Sequence, residues 1–194
     1  MSGEESKVIS NERDLARLLT TRWNIGIGKC FLNVKLISRS IKVSPDIDLL
    51  RVYTNQWHPE ENTSTGFELK VLRYNGRQRR VNLEPFYQGL GQVLTYFEHG
   101  IDRAALVVGF HKDCEQHLRE AKDAQELLVK HCNFMKSSIL RSFQYLEILS
   151  IRNGDLARLV HDSNWDRARF SHLSDDAKLA RDSIFKLQFS SEKI

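Results

Sequence analysis

The spacing of apolar residues along this chain changes period several times, and each change marks an element. Behind Asn11-Glu12-Arg13-Asp14, the leucines Leu15, Leu18 and Leu19 recur at helical spacing. This predicts a first helix that opens at Asn11 and ends near Trp23, ahead of Gly26 and Gly28. Residues 30–38 alternate imperfectly and read as a strand. Residues 46–53, entered through Ser44-Pro45, and residues 66–73 read as two clearer strands, separated by turn-forming residues from Thr54 to Ser64. Asn75-Gly76 then supplies a turn.

Residues 85–99 form a helical pattern with two faces. Leu90, Val93, Leu94 and Phe97 make one apolar stripe, while Gln88, Gln92 and Tyr96, four apart, line another side. Residues 104–110 are an unbroken apolar run, as expected of a strand covered on both faces. Residues 114–136 read as a charged helix, residues 143–151 as a further strand, and Ser174-Asp175-Asp176 as the cap of a final helix. The order predicts a layered α/β fold around a mixed sheet. Residues 1–154 are expected to form this core, and residues 155–194 a C-terminal helical extension packed on the same domain.

A chain of 194 residues suits one domain with a full core. The hydrophobic fraction of 41% and charged fraction of 28% are ordinary for a soluble globular protein. No apolar run is long enough to span a bilayer, and the polar, acidic start lacks the pattern of a secretion signal. A soluble, cytoplasmic protein without a membrane partner is expected. The three cysteines, Cys30, Cys114 and Cys132, are too few and too scattered for a disulfide framework or a CxxC zinc site. The net charge of +4 is compatible with a polyanionic partner. Its distribution says more: Lys70, Arg73, Arg77, Arg79 and Arg80 fall in one stretch without an acidic residue.

Candidate chemistry lies in three segments. In the strand Gly66-Phe67-Glu68-Leu69-Lys70, Glu68 and Lys70 share one face, while Phe67, Leu69 and Val71 take the other. In Pro45-Asp46-Ile47-Asp48, the two aspartates likewise share a face. If the strands pair as a hairpin, their carboxylates converge. Such hard oxygen donors suit Mg²⁺ or Mn²⁺, which bind phosphate oxygens and acidify water. Lys70 would then orient that water or stabilise charge on the reacting phosphate. The plainer reading is a surface Glu–Lys pair on an amphipathic strand. The third segment is the glutamine face of the helix at 85–99.

Pro45-Asp46 or Asp48, Glu68-Leu69-Lys70, and Gln92 with Tyr96 together resemble the motifs of the PD-(D/E)XK nuclease superfamily, in its resolvase- and exonuclease-like branches. There is a general likeness to small nucleases of archaea and their viruses. The resemblance covers residues 11–110. It implies a restriction endonuclease-like core of α-β-β-β-α-β order and a homodimeric, metal-dependent nuclease that hydrolyses DNA phosphodiester bonds with an activated water. It further implies Asp48 and Glu68 as ligands of Mg²⁺ or Mn²⁺, with the Leu69 carbonyl, and Asp46 and Glu12 as further candidates. Asp46, which directly follows the proline, remains an alternative to Asp48. Lys70, Gln88 and Gln92 would join Asp48 and Glu68 in catalysis, and Arg73, Arg77, Arg79, Arg80 and Tyr96 would contact DNA. The competing function is a non-catalytic nucleic-acid-binding or assembly protein of the same fold. Gly26-Ile27-Gly28-Lys29 is not a phosphate loop, because its glycine spacing is wrong and Cys30 follows the lysine. The histidines give no compact metal spacing.

Overall fold

The computed structural model describes residues 8–21, 28–36, 46–138, 146–160 and 175–192. Helix α1 (Glu12–Thr21) leads into three antiparallel strands, β1 (Lys29–Leu36), β2 (Asp46–Tyr53) and β3 (Thr63–Leu72). A small hairpin, β4 (Tyr74–Asn75) and β5 (Arg80–Val81), precedes helix α2 (Glu84–Thr95). Strand β6 (Arg103–Phe110) then returns parallel to β3. Helix α3 (Leu118–Ser138) connects it to β7 (Leu146–Arg152), parallel again, and β8 (Asp155–Val160) folds back antiparallel. Helix α4 (Asp175–Phe185) and strand β9 (Phe189–Glu192) complete the described chain. The seven long strands form one mixed sheet in the order β8-β7-β6-β3-β2-β1-β9. This is the α/β arrangement that the alternation of periods predicts.

The sheet separates two apolar clusters. On one side Leu15, Leu18 and Leu19 of α1 cover Leu49, Phe67, Leu69, Ala105 and Val107. On the other, residues of α2, α3 and α4, among them Phe86, Val93, Leu128 and Ile184, cover Leu50, Leu72, Leu106, Val108 and Ile148. Every residue of β6 is buried, as its unbroken apolar run requires. A fully buried leucine such as Leu15 or Leu106 contributes about 1.5–3 kcal/mol through removal from water.

Three elements depart from the sequence pattern. The helix expected over 85–99 ends at Thr95 and tightens into a 3₁₀ turn, Tyr96–His99, closed by Gly100 at φ +79°. A Cβ on Gly100 would lie 2.4 Å from the Ala177 carbonyl oxygen, so both the backbone angle and the approach of α4 require glycine there. Strand β3 begins three residues earlier than expected, at Thr63, and these added residues are buried. The largest correction concerns the helical extension expected over 155–194. Residues 155–160 form an edge strand, because Asn153 and Gly154, both at positive φ (51° and 77°), make a two-residue turn that folds Asp155 back onto Arg152. Residues 189–192 form the opposite edge strand beside β1, so only α4 is helical in the described part of this segment. The expected end of the first helix at Trp23, the Ser44-Pro45 entry to β2 and the cap at Ser174 lie outside the described residues.

Helix α4 is fastened by an ion pair to the buried Asp102. Arg181 Nε lies 2.8 Å from Asp102 Oδ1, and Arg181 Nη2 donates to the Asn62 carbonyl. The other Asp102 oxygen accepts from the backbone and hydroxyl of Ser64. Among the described residues, no helix is long and apolar enough to cross a membrane.

Candidate functional site

The ladder between β2 and β3 runs from Tyr53↔Thr63 to Leu49↔Phe67. Beyond that last pair the partners part. Strand β2 continues along β1, and β3 continues along β6 as far as Leu72. Asp48 and Glu68 are the next residues on the two strands, one on each arm of this fork.

Glu68 is almost wholly buried, at 1% exposure. Lys70 Nζ lies 2.5 Å from its Oε1, and the Tyr96 hydroxyl donates to its Oε2. The shared face expected for Glu68 and Lys70 is therefore present. Phe67, Leu69 and Val71 lie against the α1 cluster, as alternation demands. Burial, reinforced by the charge and hydrogen bond of Glu68, holds the Tyr96 phenol far above its ordinary pKa, so it remains a donor. Two glycines make room for these partners. A Cβ on Gly66 would meet the Tyr96 ring at 2.8 Å, and a Cβ on Gly89 would meet the Lys70 stem at 2.8 Å and Leu106 at 2.6 Å.

Asp48 reaches across the fork, and its Oδ2 accepts from the Leu69 backbone N–H at 2.7 Å. In an extended strand the N–H and C=O of one residue point to the same edge, so the Leu69 carbonyl also faces β2. The alternation of β2 breaks at this point. Ile47 belongs to the α2-side cluster but Leu49 to the α1-side cluster. On β1, between the pairs Leu32↔Leu49 and Val34↔Ile47, Asn33 adopts a left-handed conformation with φ 47°. Asparagine tolerates that region better than most side chains. Burial, and next the charge of Glu68, raise the Asp48 carboxyl to about 7, against the lowering effect of the Leu69 N–H and Lys70. A cavity of about 450 Å³ opens beside Asp48 on the α1 side. Its lining includes Glu12, Arg13, Asn33, Leu69 and Glu192.

The other expected site residues divide. Glu12, at the first turn of α1, lines this cavity, and its charge adds to the raising of Asp48. Asp46 does not share the position of Asp48. Its side chain is exposed and lies 3.7 Å from Lys35 Nζ. Gln88 and Gln92 are exposed, and Gln88 Nε2 donates to Glu84. Neither glutamine side chain hydrogen-bonds to Asp48, Glu68 or Lys70 among the described residues. Tyr96 departs from the expectation of DNA contact: at 0% exposure it belongs to the buried stripe Phe86-Gly89-Val93-Tyr96 and faces Glu68. Arg73 is turned to an internal use, because its guanidinium binds His111 Nε2 and the Ser10 carbonyl. Arg77, Arg79 and Arg80 are exposed on the β4–β5 hairpin, where Asn75 Oδ1 accepts from the backbones of Arg77 and Gln78.

Sequence patterning missed Asn33, Gly66, Gly89 and Arg13. A glycine inside a helical pattern was the available signal for Gly89; the others need the fold. Among the described residues, no group of three or more His, Cys, Asp or Glu stands ready to hold a metal ion. The donor set at the fork nonetheless suits a hard cation: two carboxylates and a carbonyl edge, with a third carboxylate, Glu12, across the cavity. No protein-family model, curated protein or solved structure matches this chain.

Proposed function

We propose that this chain is a divalent-metal-dependent nuclease of the PD-(D/E)XK type, with a restriction endonuclease-like core, acting on DNA. The observation that carries the reading is the fork. A Glu68–Lys70 pair on β3, its carboxylate buried, lies where β2 leaves β3, and Asp48 on the other arm lines an open cavity. Burying a carboxylate and an ammonium is unfavourable unless they are well paired, and it is common at reactive sites. Asp48, Glu68 and the Leu69 carbonyl would hold Mg²⁺ or Mn²⁺, with Glu12 nearby. Such an ion supplies Lewis acidity and an acidified water. Lys70 places a positive charge at the scissile phosphate and orients the attacking water through its ammonium. Tyr96 fixes the Glu68 carboxylate by its hydroxyl. The Leu69 N–H holds the rotamer of Asp48. The exposed arginines of the β4–β5 hairpin contact backbone phosphates and position the duplex without reading its sequence. Incubation of plasmid DNA with Mg²⁺ or Mn²⁺, with and without chelator, tests the reading. Intact plasmid under all conditions removes it.

A second reading is a nucleic-acid-binding protein of the same fold that does not cut. The engagement of both Glu68 oxygens by Lys70 and Tyr96 favours it, since a cation must then displace one of them. DNA binding without cleavage in any divalent metal is its signature. A homodimer belongs to the first reading, because it would present two sites to the two strands of a duplex. Exposed Leu118, Leu127 and Leu179 offer apolar surface for it, and a monomer at micromolar concentration in sedimentation counts against it.

A further inference from the structure

Beside Asp48, the cavity is bounded by an ion pair between the two ends of the described chain. Arg13 Nη2, on the first turn of α1, lies 2.9 Å from Glu192 Oε2 on β9. Arg13 is the one cationic residue among those lining the cavity in the described structure, and Glu12, Asp48 and Glu192 are its acidic ones. The pair is formed in water: the two side chains are 75% and 50% exposed. An ion pair so exposed stabilises little, so its exchange for another anion is nearly free of cost to the fold. Glu192 sits opposite Leu32 in the β1–β9 ladder, and Leu32 also lines the cavity. The strand that carries it is four residues long and is an edge of the sheet.

We propose that Arg13 is a binding residue for a backbone phosphate of the nucleic acid at this site, and that Glu192 occupies it in the free protein as a built-in competitor. The inference rests on the nuclease reading for its substrate class. A guanidinium binds carboxylate and phosphate oxygens through the same planar fork of donors, so one anion can replace the other without moving the arginine. Glu192 and the incoming phosphate compete for the same guanidinium, and Glu192 adds negative charge to a cavity that already holds Asp48 and Glu12. Removing the carboxylate at 192 and removing the guanidinium at 13 therefore have opposite effects on binding. A purely structural pair gives effects of the same sign, since either change breaks the same ion pair.

The test is fluorescence anisotropy of a labelled duplex and a labelled single-stranded DNA oligonucleotide, in chelator and again in Ca²⁺. The proteins are wild type, Arg13→Ala, Glu192→Gln and the double variant, with thermal denaturation of each alongside. Arg13→Ala is expected to bind about tenfold more weakly, the worth of one charge-assisted hydrogen bond, and to lower the salt slope by roughly one unit. Glu192→Gln is expected to bind at least about threefold more tightly than wild type, and this gain disappears in the double variant. Unchanged or weaker binding by Glu192→Gln overturns the proposal, as does wild-type affinity of Arg13→Ala. If the wild type binds neither oligonucleotide, the nuclease reading fails with it. If it binds but the two substitutions act alike, only the role of Arg13 and Glu192 fails.

Discussion

The hydroxyl of Tyr96, carried just past the last turn of α2, donates to the carboxylate of Glu68 in the middle of β3. Tyr96→Phe keeps the ring in the slot opened by Gly66 and removes only that donor. Glu68 is then buried with one partner fewer, which costs about 1–3 kcal/mol. Chemical denaturation is expected to show this loss. On the nuclease reading, cleavage under saturating protein falls as well, while DNA affinity stays near wild type.

Lys70 and the hairpin arginines are separable by kinetics. Lys70 acts at the reacting phosphate, so Lys70→Ala is expected to bind DNA well and to lose about a hundredfold or more in single-turnover rate. Loss of Arg77, Arg79 and Arg80 is expected to weaken binding and flatten its salt dependence, by roughly one unit of slope for each phosphate that is no longer neutralised. Saturating protein restores cleavage to the arginine variants alone. Wild-type turnover by Lys70→Ala would exclude Glu68-Leu69-Lys70 as the catalytic strand.

Asp48 makes stability depend on pH. Its carboxyl is raised from 3.8 to about 7 by burial and by Glu68, so the folded protein binds a proton more tightly than the unfolded chain. Its contribution is fully present below the unfolded value and is lost as pH rises through about 7. The metal-free protein is thus expected to be more stable near pH 5 than near pH 8 on account of this group. Asp48→Asn is expected to flatten that difference and to gain at least about 1 kcal/mol at the upper end. A bound divalent cation favours the ionised form, so Mn²⁺ raises the melting temperature of wild type more at the higher pH. Equal shifts in wild type and Asp48→Asn would count against Asp48 as a ligand.

Two glycines of one helix provide a matched pair. Alanine is intrinsically the better helix former by about 1 kcal/mol. At Gly91, where an added Cβ meets nothing within 4 Å, that preference is expected to appear as unchanged or increased stability. At Gly89 the added Cβ meets Leu106 at 2.6 Å and Lys70 at 2.8 Å, so the crowding wins, at about 1–3 kcal/mol. Gly89→Ala is also expected to slow cleavage by displacing Lys70, and Gly91→Ala is not. Similar behaviour of the two variants in denaturation and in turnover contradicts this account.

Much of the architecture was legible because its strands obey simple periods. The bounds of β2 and the shared face of Glu68 and Lys70 follow from alternation and turn residues alone. The helix after β5 was harder. The expected stripe Leu90-Val93-Leu94-Phe97 does pack on the core, but the most buried row passes through Gly89, which carries no apolar signal, so the pattern does not place Tyr96 on that row. Alternation alone does not separate Asp46 from Asp48, because it places them on one face. Only the left-handed Asn33 on the adjoining strand marks where the rule fails. The edge strand β8 was missed although Asn153-Gly154 is a hairpin turn signal; its exposed, mixed residues give no period to read. Arg13 and Glu192 lie 179 positions apart, and nothing local connects them.

Because the sheet divides the apolar interior, the fork is assembled from two separately packed units. Helix α1 and the segment before it are held by the smaller cluster, the Arg73 bond to Ser10 and the Lys112–Ile9 backbone bond. Lifting that unit would carry Glu12 and Arg13 away while leaving Glu68, Lys70 and Tyr96 seated under α2. Amide protons of α1 should therefore exchange with solvent through a lower-energy opening than those of β3 and β6. Occupancy of the cavity by an anion or cation that touches both units would couple them, and the same protons would report it as slowed exchange.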